Sequence, residues 1–401
     1  MGWVYLFGVR GYCFLIRLAS LWNPKAKRWM QGRKMVWEHL DNWQRTEKPL
    51  YWFHCASLGE FEQGRPLIEA LKNQRDCQIV VTFFSPSGYE IRKNYALADL
   101  VTYLPRETNK NVARFLAKIK PDQVFFVKYE FWATYIFEAK KQGSRVYSVA
   151  AVFRKNQLFF KPYGGFMQSV LHAFDQVFVQ DLKSLDLLKT IKVKGILAGD
   201  PRYDRVLGNA KNVQAYPAIE AFINGSKVLV VGSSWAADDA VLKDTINHPD
   251  FEWKVIIAPH EVSEDRVQDI ERIFTKKSVR YSNLANGSSD AQILIIDNVG
   301  MLMNVYQYAN LAYVGGAFGK GLHNILEPAA FNVCVIFGNK FSKFYEATEF
   351  IEAGIGFSVH NADEFSTLFS KLSHEDQSQK VRDFMLARLG ATAKILSVIS
   401  E

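Results

Sequence analysis

The stretch "SKVLVVGSSW", Ser226–Trp235, restarts in mid-chain a pattern that has already run once. A short apolar, β-branched run ends in glycine and serines, and the pattern continues through "WKVIIAPH", "AQILIID", "ANLAYVGGAFG" and "NVCVIFG". Each run has strand length and is bounded by turn residues. Upstream, the same reading predicts strands over Tyr51–His54, Ile79–Phe84, Gln123–Val127, Arg145–Val149 and Gln176–Val179. Helical stretches such as "RPLIEALKNQ" and "NVARFLAKI" lie between most of them. Strand and helix in alternation imply parallel sheet with right-handed crossovers, hence an α/β fold. Two such series, separated by a polar, strandless stretch from Arg205 to Ser226, predict two doubly wound, Rossmann-like domains with a ligand cleft between them. The expected divisions are an N-terminal segment 1–37, a first domain 38–205, a linker 206–226 and a second domain 227–401. The helical stretch after Asp363 either finishes the second half or crosses back to the first.

A chain of 401 residues that is 48% hydrophobic suits two domains rather than one. Four widely spaced cysteines exclude a disulfide scaffold and fit a reducing compartment. The net charge of +8 is local: Arg10, Arg17, Lys25, Lys27, Arg28, Arg33 and Lys34 all precede the first acid, Glu38. Removing those seven from the 49 basic residues leaves 42 against 41 acidic ones, so no nucleic-acid footprint is expected. The basic terminus is also aromatic and apolar, but Arg10 and Arg17 interrupt it, which suits neither a spanning helix nor a signal peptide. As an in-plane amphipathic helix it would place both arginines at lipid headgroups, with Leu6, Phe14, Leu15 and Leu18 dipping into lipid and Trp3 and Trp22 at the boundary. The alternative is a first helix packed on its own domain with arginines snorkelling over the surface.

The densest motif is "YVGGAFGKGLHNILEPAAF", Tyr313–Phe331. A strand ending at Gly315-Gly316, a glycine-bearing loop and a helix starting near Asn324 would offer bare backbone amides to a phosphate. His323 and Glu327, four apart, would share a helix face, with His323 and Asn324 donating to a phosphate and Glu327 accepting from a ribose hydroxyl. A zinc reading of this pair lacks further ligands, and an ordinary capped βα turn is the plainer alternative. Ser233 and His260 end two other strands of the same half, so three loops are expected to converge on one anion. In the first half "HCASLGEFEQG", His54–Gly64, follows a strand. Ser57 and Glu60 have capping-box spacing, yet a carboxylate on such a loop is also where an α/β enzyme keeps a general base. Ser85, Ser87 and Gly88 follow a second strand, and Glu130 a third. No D-x-D triplet, Walker pattern or helix-opening G-x-G-x-x-G occurs. What remains is a two-domain transferase, independent of metal and cofactor, holding its donor phosphate through amides and side chains.

On "HCASLGE", "SPSG", "EFW", "GDPRYD", "VGSSW", "PHE" and "GGAFGKGLHNILEPAAF", in that order, the chain resembles the Kdo transferases. These enzymes move 3-deoxy-D-manno-octulosonic acid (Kdo) from CMP-Kdo to the lipid A precursor. The resemblance implies a GT-B fold at the cytoplasmic face of the bacterial inner membrane, with partners CMP-Kdo, the lipid A precursor and an anionic membrane surface met by Arg10, Arg17, Lys25, Lys27 and Arg28. It implies Glu60 as general base, Glu130 in a supporting role, and Ser57, Gly59, Ser87 and Gly88 on the acceptor side. Ser233, His260, Gly315, Gly316, His323, Asn324 and Glu327 match donor-site positions. The chain departs from the family pattern at Ala258-Pro259-His260-Glu261, where an arginine is missing, and at Leu322, where a second glycine is usual. Arg202, in Gly199-Asp200-Pro201-Arg202, or Lys320 is expected to supply the missing cation. A GT-B glycosyltransferase using a UDP-sugar, and a non-catalytic lipid- or glycan-binding protein, are the competing readings.

Overall fold

The computed structural model describes residues 2–286 and 290–400 and divides into two compact units, 1–204 with 389–401, and 205–388. In the first, strands β1 (Leu50–Cys55), β2 (Gln78–Phe83), β3 (Leu100–Tyr103), β4 (Gln123–Val127), β5 (Arg145–Ala151), β6 (Gln176–Val179) and β7 (Gly195–Leu197) form one parallel sheet. Their order is β3-β2-β1-β4-β5-β6-β7. Leu50 is in register with Gln78 on one side of β1, and Tyr51 with Gln123 on the other. Helices cover both faces, so alternate residues of one strand enter different cores. Trp52, Val80, Val124 and Phe126 pack with Phe115 and Ile136; Phe53, Val81, Phe125 and Val127 pack with Phe61 and Leu67. Burial on both sides explains why these strands read as unbroken apolar runs.

The second unit repeats the plan with β8 (Val228–Ser234), β9 (Lys254–Pro259), β10 (Ser278–Arg280), β11 (Ile293–Ile295), β12 (Leu311–Val314), β13 (Val335–Gly338) and β14 (Gly356–Val359). Its order is β10-β11-β9-β8-β12-β13-β14, again parallel. All ten strands expected from the sequence are present. The four that the pattern leaves out, β3, β7, β10 and β14, are the two edges of each sheet. An edge strand has one neighbour, so a run of three or four residues suffices and its apolar signal is short.

Three expectations need correction. Residues 206–226 are not a free linker: they carry the end of helix Pro201–Ala210 and helix Pro217–Ile223, which buries Ile219 and Phe222 in the second unit. Nor does the second domain run to the C-terminus. Helix Ala391–Ile399 returns to the first unit, where Ile395, Leu396 and Ile399 enter the core and Asp204 accepts from the amides of Gly390 and Thr392. Residues 1–37 are likewise not a separate piece, because Trp29 and Val36 are buried in the first unit. Helix Gly2–Ala19 buries no residue and leaves Trp3, Val4, Phe7, Phe14, Leu15 and Leu18 exposed, while Leu6 is half-buried. No single described helix is long and apolar enough to cross a membrane; helix Gly2–Ala19 and the segment Pro24–Asn42 meet length and composition only together, bent by 119°.

Candidate functional site

In each sheet the strand order reverses at one place, between β1 and β4 and between β8 and β12, and in open α/β sheets the crevice beyond those strand ends takes the ligand. The sequence-predicted residues cluster at these two points. After β1, Ser57 precedes helix Leu58–Gln74 and Glu60 sits in its first turn. Glu60 Oε2 accepts from the Ser57 amide at 3.0 Å and from the Ser57 hydroxyl. The glutamate thus reaches back to Ser57 as a capping box requires, with the serine hydroxyl as a further donor to it. The outcome is a carboxylate held in place at a helix N-terminus by two donors of one residue.

After β4 the chain turns sharply at Lys128, whose φ of +66° is left-handed, and this brings Glu130 back over the strand end. Glu130 Oε2 accepts from His54 Nε2 at 3.1 Å and from Trp132 Nε1 at 2.6 Å. Ser85 caps helix Pro86–Arg92 by accepting from the Ser87 amide. Gly88 is needed for packing, since a Cβ there would lie 2.3 Å from the Phe83 ring and 3.0 Å from the backbone of Ser57. A Cβ at Gly59 would be in ordinary contact with the Ser57 hydroxyl at 3.8 Å, and Ser87 bonds to Ser85, so both partners lie within the same loops.

In the second unit three loops converge, as expected. Trp235, after β8, stacks on His260, after β9, with ring centroids 4.7 Å apart, and His260 stacks on His323, after β12, at 4.3 Å. Trp235 Nε1 donates to His323 Nε2 at 3.1 Å. Because indole can only donate, that nitrogen is bare and His323 is neutral. Burial, and next the neighbouring His260, push the His323 pKa down to about 4. Ser233 has a left-handed φ of +53° at the bulge where the β8–β9 register shifts, a strain of the kind found at binding loops.

The glycine pair overturns the expected phosphate cradle. Gly315 N–H donates to Gly232 O and Gly316 N–H to Asp238 Oδ2, both at 2.9 Å, so neither amide is bare. What requires glycine is close approach: a Cβ at 315 would lie 2.5 Å from Ser233 O, and one at 316 would lie 2.3 Å from Gly321 O. Asp238, fully buried and unremarked in the sequence, also accepts from the Trp235 amide and the Tyr313 hydroxyl, tying the ends of β8 and β12 together. Helix Leu326–Ala329 is only four residues and begins after Asn324, so His323 and Glu327 do not share a helix face. Asn324 Nδ2 instead donates to Glu327 Oε1 at 3.0 Å.

Of the two candidate cations, Arg202 belongs to the first unit and is bonded through Nε and Nη2 to buried Asp200. Burial opposes the Asp200 charge, but that guanidinium outweighs it and holds the carboxyl below its usual range. Lys320 lies in the second unit with Nζ 5.3 Å from the Trp235 ring. Trp235, Trp132, His54 and Asp238 are the residues sequence reasoning missed; the first three lie inside quoted motifs, but nothing in the sequence signals their partners.

The depressed His323 pKa makes a pH prediction. An unfolded histidine binds its proton at about 6.5. Between there and about 4 the unfolded chain takes up a proton that the native unit refuses, so this stabilisation is complete above 6.5 and lost as pH falls. The raised pKa values of Asp238 and Asp239, due first to burial, slope the other way. Subtracting the urea midpoints of His323→Gln from those of wild type between pH 4 and 7.5 isolates the histidine, and the difference is expected to rise with pH. A difference independent of pH overturns the assignment.

Residues 28–205 match the model of the family described as 3-deoxy-D-manno-octulosonic-acid transferase (kdotransferase). The 3-deoxy-D-manno-octulosonic acid transferase of Aquifex aeolicus is 26% identical over 342 residues, covering 84% of this chain and 89% of that protein. A bifunctional glycosyltransferase/methyltransferase of Fusobacterium nucleatum is 27% identical over 345 residues, which cover 82% of this chain but only 53% of that relative, so the chain spans about half its length. Among solved structures, the UDP-GlcNAc 2-epimerase from Neisseria meningitidis superposes with a TM-score of 0.61 at 13% identity, covering 88% of this chain and 100% of that one. The likeness is one of fold, and it places the two parallel sheets in the GT-B class.

Proposed function

We propose, from the match of residues 28–205 to the Kdo transferase family model and the 26% identity to a curated Kdo transferase over 342 residues, that the chain transfers Kdo from CMP-Kdo to the lipid A precursor. The observation that carries the reading is the pair of switch points, one furnished with two oriented carboxylates and the other with stacked His260, His323 and Trp235. In this reading Glu60 takes the proton from the primary hydroxyl of the lipid's distal glucosamine. The oxygen attacks the anomeric carbon of Kdo as the bond from that carbon to the phosphate oxygen breaks, and CMP leaves. A single displacement of this kind needs no metal, and Lys320 supplies the cation for the donor phosphate or carboxylate. Ser233, His260, His323, Asn324 and Glu327 make up the rest of the donor side, with Gly315 and Gly316 shaping it; Ser57 and Ser87 flank the acceptor. The test is transfer from CMP-Kdo to a tetraacylated lipid A precursor in detergent, with CMP and UDP as competitors. Inhibition by CMP alone is expected; inhibition by UDP alone would favour the UDP-sugar reading, and absence of turnover would favour a binding protein.

The acceptor is an amphiphile, and the exposed apolar side of helix Gly2–Ala19, with Arg10, Arg17, Lys25, Lys27 and Arg28, suits the anionic cytoplasmic face of an inner membrane. Each basic residue near such a surface contributes about 1 kcal/mol. Arg33 does not contribute, because its guanidinium is packed 3.6 Å from the Trp29 ring and donates to Phe84 O. The chain is expected to co-sediment with anionic vesicles but not zwitterionic ones, and a variant carrying Arg10→Glu with Arg17→Glu is expected to lose most of that binding. Equal binding by the variant would assign the helix to the protein surface alone.

A further inference from the structure

A buried relay in the first unit ends on Glu130. Trp52, Thr82 and His54 are all fully buried. Trp52 Nε1 lies 2.8 Å from Thr82 Oγ1, which lies 2.9 Å from His54 Nδ1, and His54 Nε2 lies 3.1 Å from Glu130 Oε2. The two ends decide the direction. Indole can only donate, so it donates to Thr82, and an ionised carboxylate can only accept, so it accepts from His54. Between them Thr82 gives its hydroxyl proton to Nδ1, its alternative acceptor being Phe53 O at 3.5 Å. A neutral His54 with its proton on Nε2 satisfies every atom of the chain. Nδ1 also lies 3.2 Å from the carbonyl of Thr82, an acceptor that would suit the opposite tautomer. The carboxylate on Nε2 excludes that tautomer, and the hydroxyl supplies the bare Nδ1 with its donor.

The relay has a consequence for Glu130. His54 and Trp132 both donate to Oε2, the indole at 2.6 Å, so that oxygen is saturated and the carboxylate cannot rotate without breaking both bonds. Neither bond uses Oε1. We propose that His54 is a positioning residue, locked as its Nε2–H tautomer by Thr82 and Trp52, that orients Glu130 so that Oε1 accepts a hydrogen bond from a sugar hydroxyl of the acceptor. This rests on the transferase reading of the site and adds to it a residue that does not touch substrate.

The test is a double-mutant cycle in kcat and KM with a spectroscopic arm that does not need turnover. Partners that orient a functional group through one further bond typically contribute about 10- to 100-fold. His54→Leu is expected to lower kcat/KM by about that factor, and His54→Gln, which can return an amide N–H to Glu130, to recover most of it. In a Glu130→Gln background, His54→Leu should cost almost nothing more, because it acts through a group already lost. Full additivity, or a glutamine variant no better than leucine, overturns the proposal. Histidine 15N spectra, with the His54 signal assigned by its loss in His54→Gln, are expected to show the proton on Nε2. They should show it moved to Nδ1 in Glu130→Leu, where Nε2 has lost its acceptor and the carbonyl of Thr82 remains for Nδ1. A proton on Nδ1 in wild type overturns the proposal even if no transfer is seen, and the Glu130→Leu comparison decides it if His54→Leu fails to fold. Failure of wild type to transfer, with the Nε2 tautomer intact, would count against the transferase reading and not against the relay.

Discussion

Glu60→Gln is expected to transfer Kdo about 10²- to 10⁴-fold more slowly than wild type, the usual cost of a lost general base, while its stability falls by about 1 kcal/mol or less. The separation follows from the two bonds at its carboxylate. An amide oxygen at the same place still accepts from the Ser57 amide and hydroxyl, so the start of helix Leu58–Gln74 keeps its cap. What the amide cannot do is take a proton. Initial rates compared at matched folded fraction, with urea unfolding alongside, check both halves. A folded variant that keeps most of its rate would make Glu60 a cap only and move the base to Glu130.

The second large effect is on stability. Asp238→Ala is expected to destabilise the second unit by about 3–5 kcal/mol, since each buried donor left without an acceptor costs about 1–3 kcal/mol. Three donors are at stake: the amides of Trp235 and Gly316 and the hydroxyl of Tyr313, each 2.9 Å from a carboxylate oxygen. That is a large share of the roughly 5–15 kcal/mol that holds a domain together. Asp238→Asn should cost less, because one oxygen remains as acceptor although its amide nitrogen meets donors. Urea unfolding of the full chain would give the numbers. A loss under about 1 kcal/mol for alanine would mean that the β8 and β12 loops are held by the close packing of Gly315 and Gly316 and not by this carboxylate.

The catalytic expectation and the stability expectation differ in how far they could be read in advance. Glu60 and Glu130 follow strands whose apolar runs are plain, and the rule that ligands meet an α/β sheet beyond its strand ends then finds them without coordinates. His260 and His323 follow strands in the same way, so their convergence was legible too. Asp238 was not, because its importance lies in three donors, two of them more than seventy residues away. The same distance hid the relay through His54: the histidine is in a quoted motif, but Thr82, Trp52 and Trp132 become its chain of partners only once β1, β2 and β4 lie side by side.

The amino-acid sequence by itself determined the class of fold and ten of the fourteen strands among the described residues, because inner strands of a parallel sheet are buried on both faces and must be apolar throughout. It also placed Glu60, Glu130, His260 and His323 after strand ends. Tertiary structure alone decided the four edge strands, whose single neighbour asks little of their composition, and the return of helix Ala391–Ile399 to the first unit, since an apolar helix face does not say which core it will join. It decided as well that the amides of Gly315 and Gly316 meet the protein's own acceptors and that both glycines serve close packing. A glycine in the sequence announces room for a near neighbour, but whether that neighbour is a ligand or the protein's own backbone and a buried carboxylate depends on what the fold brings beside it.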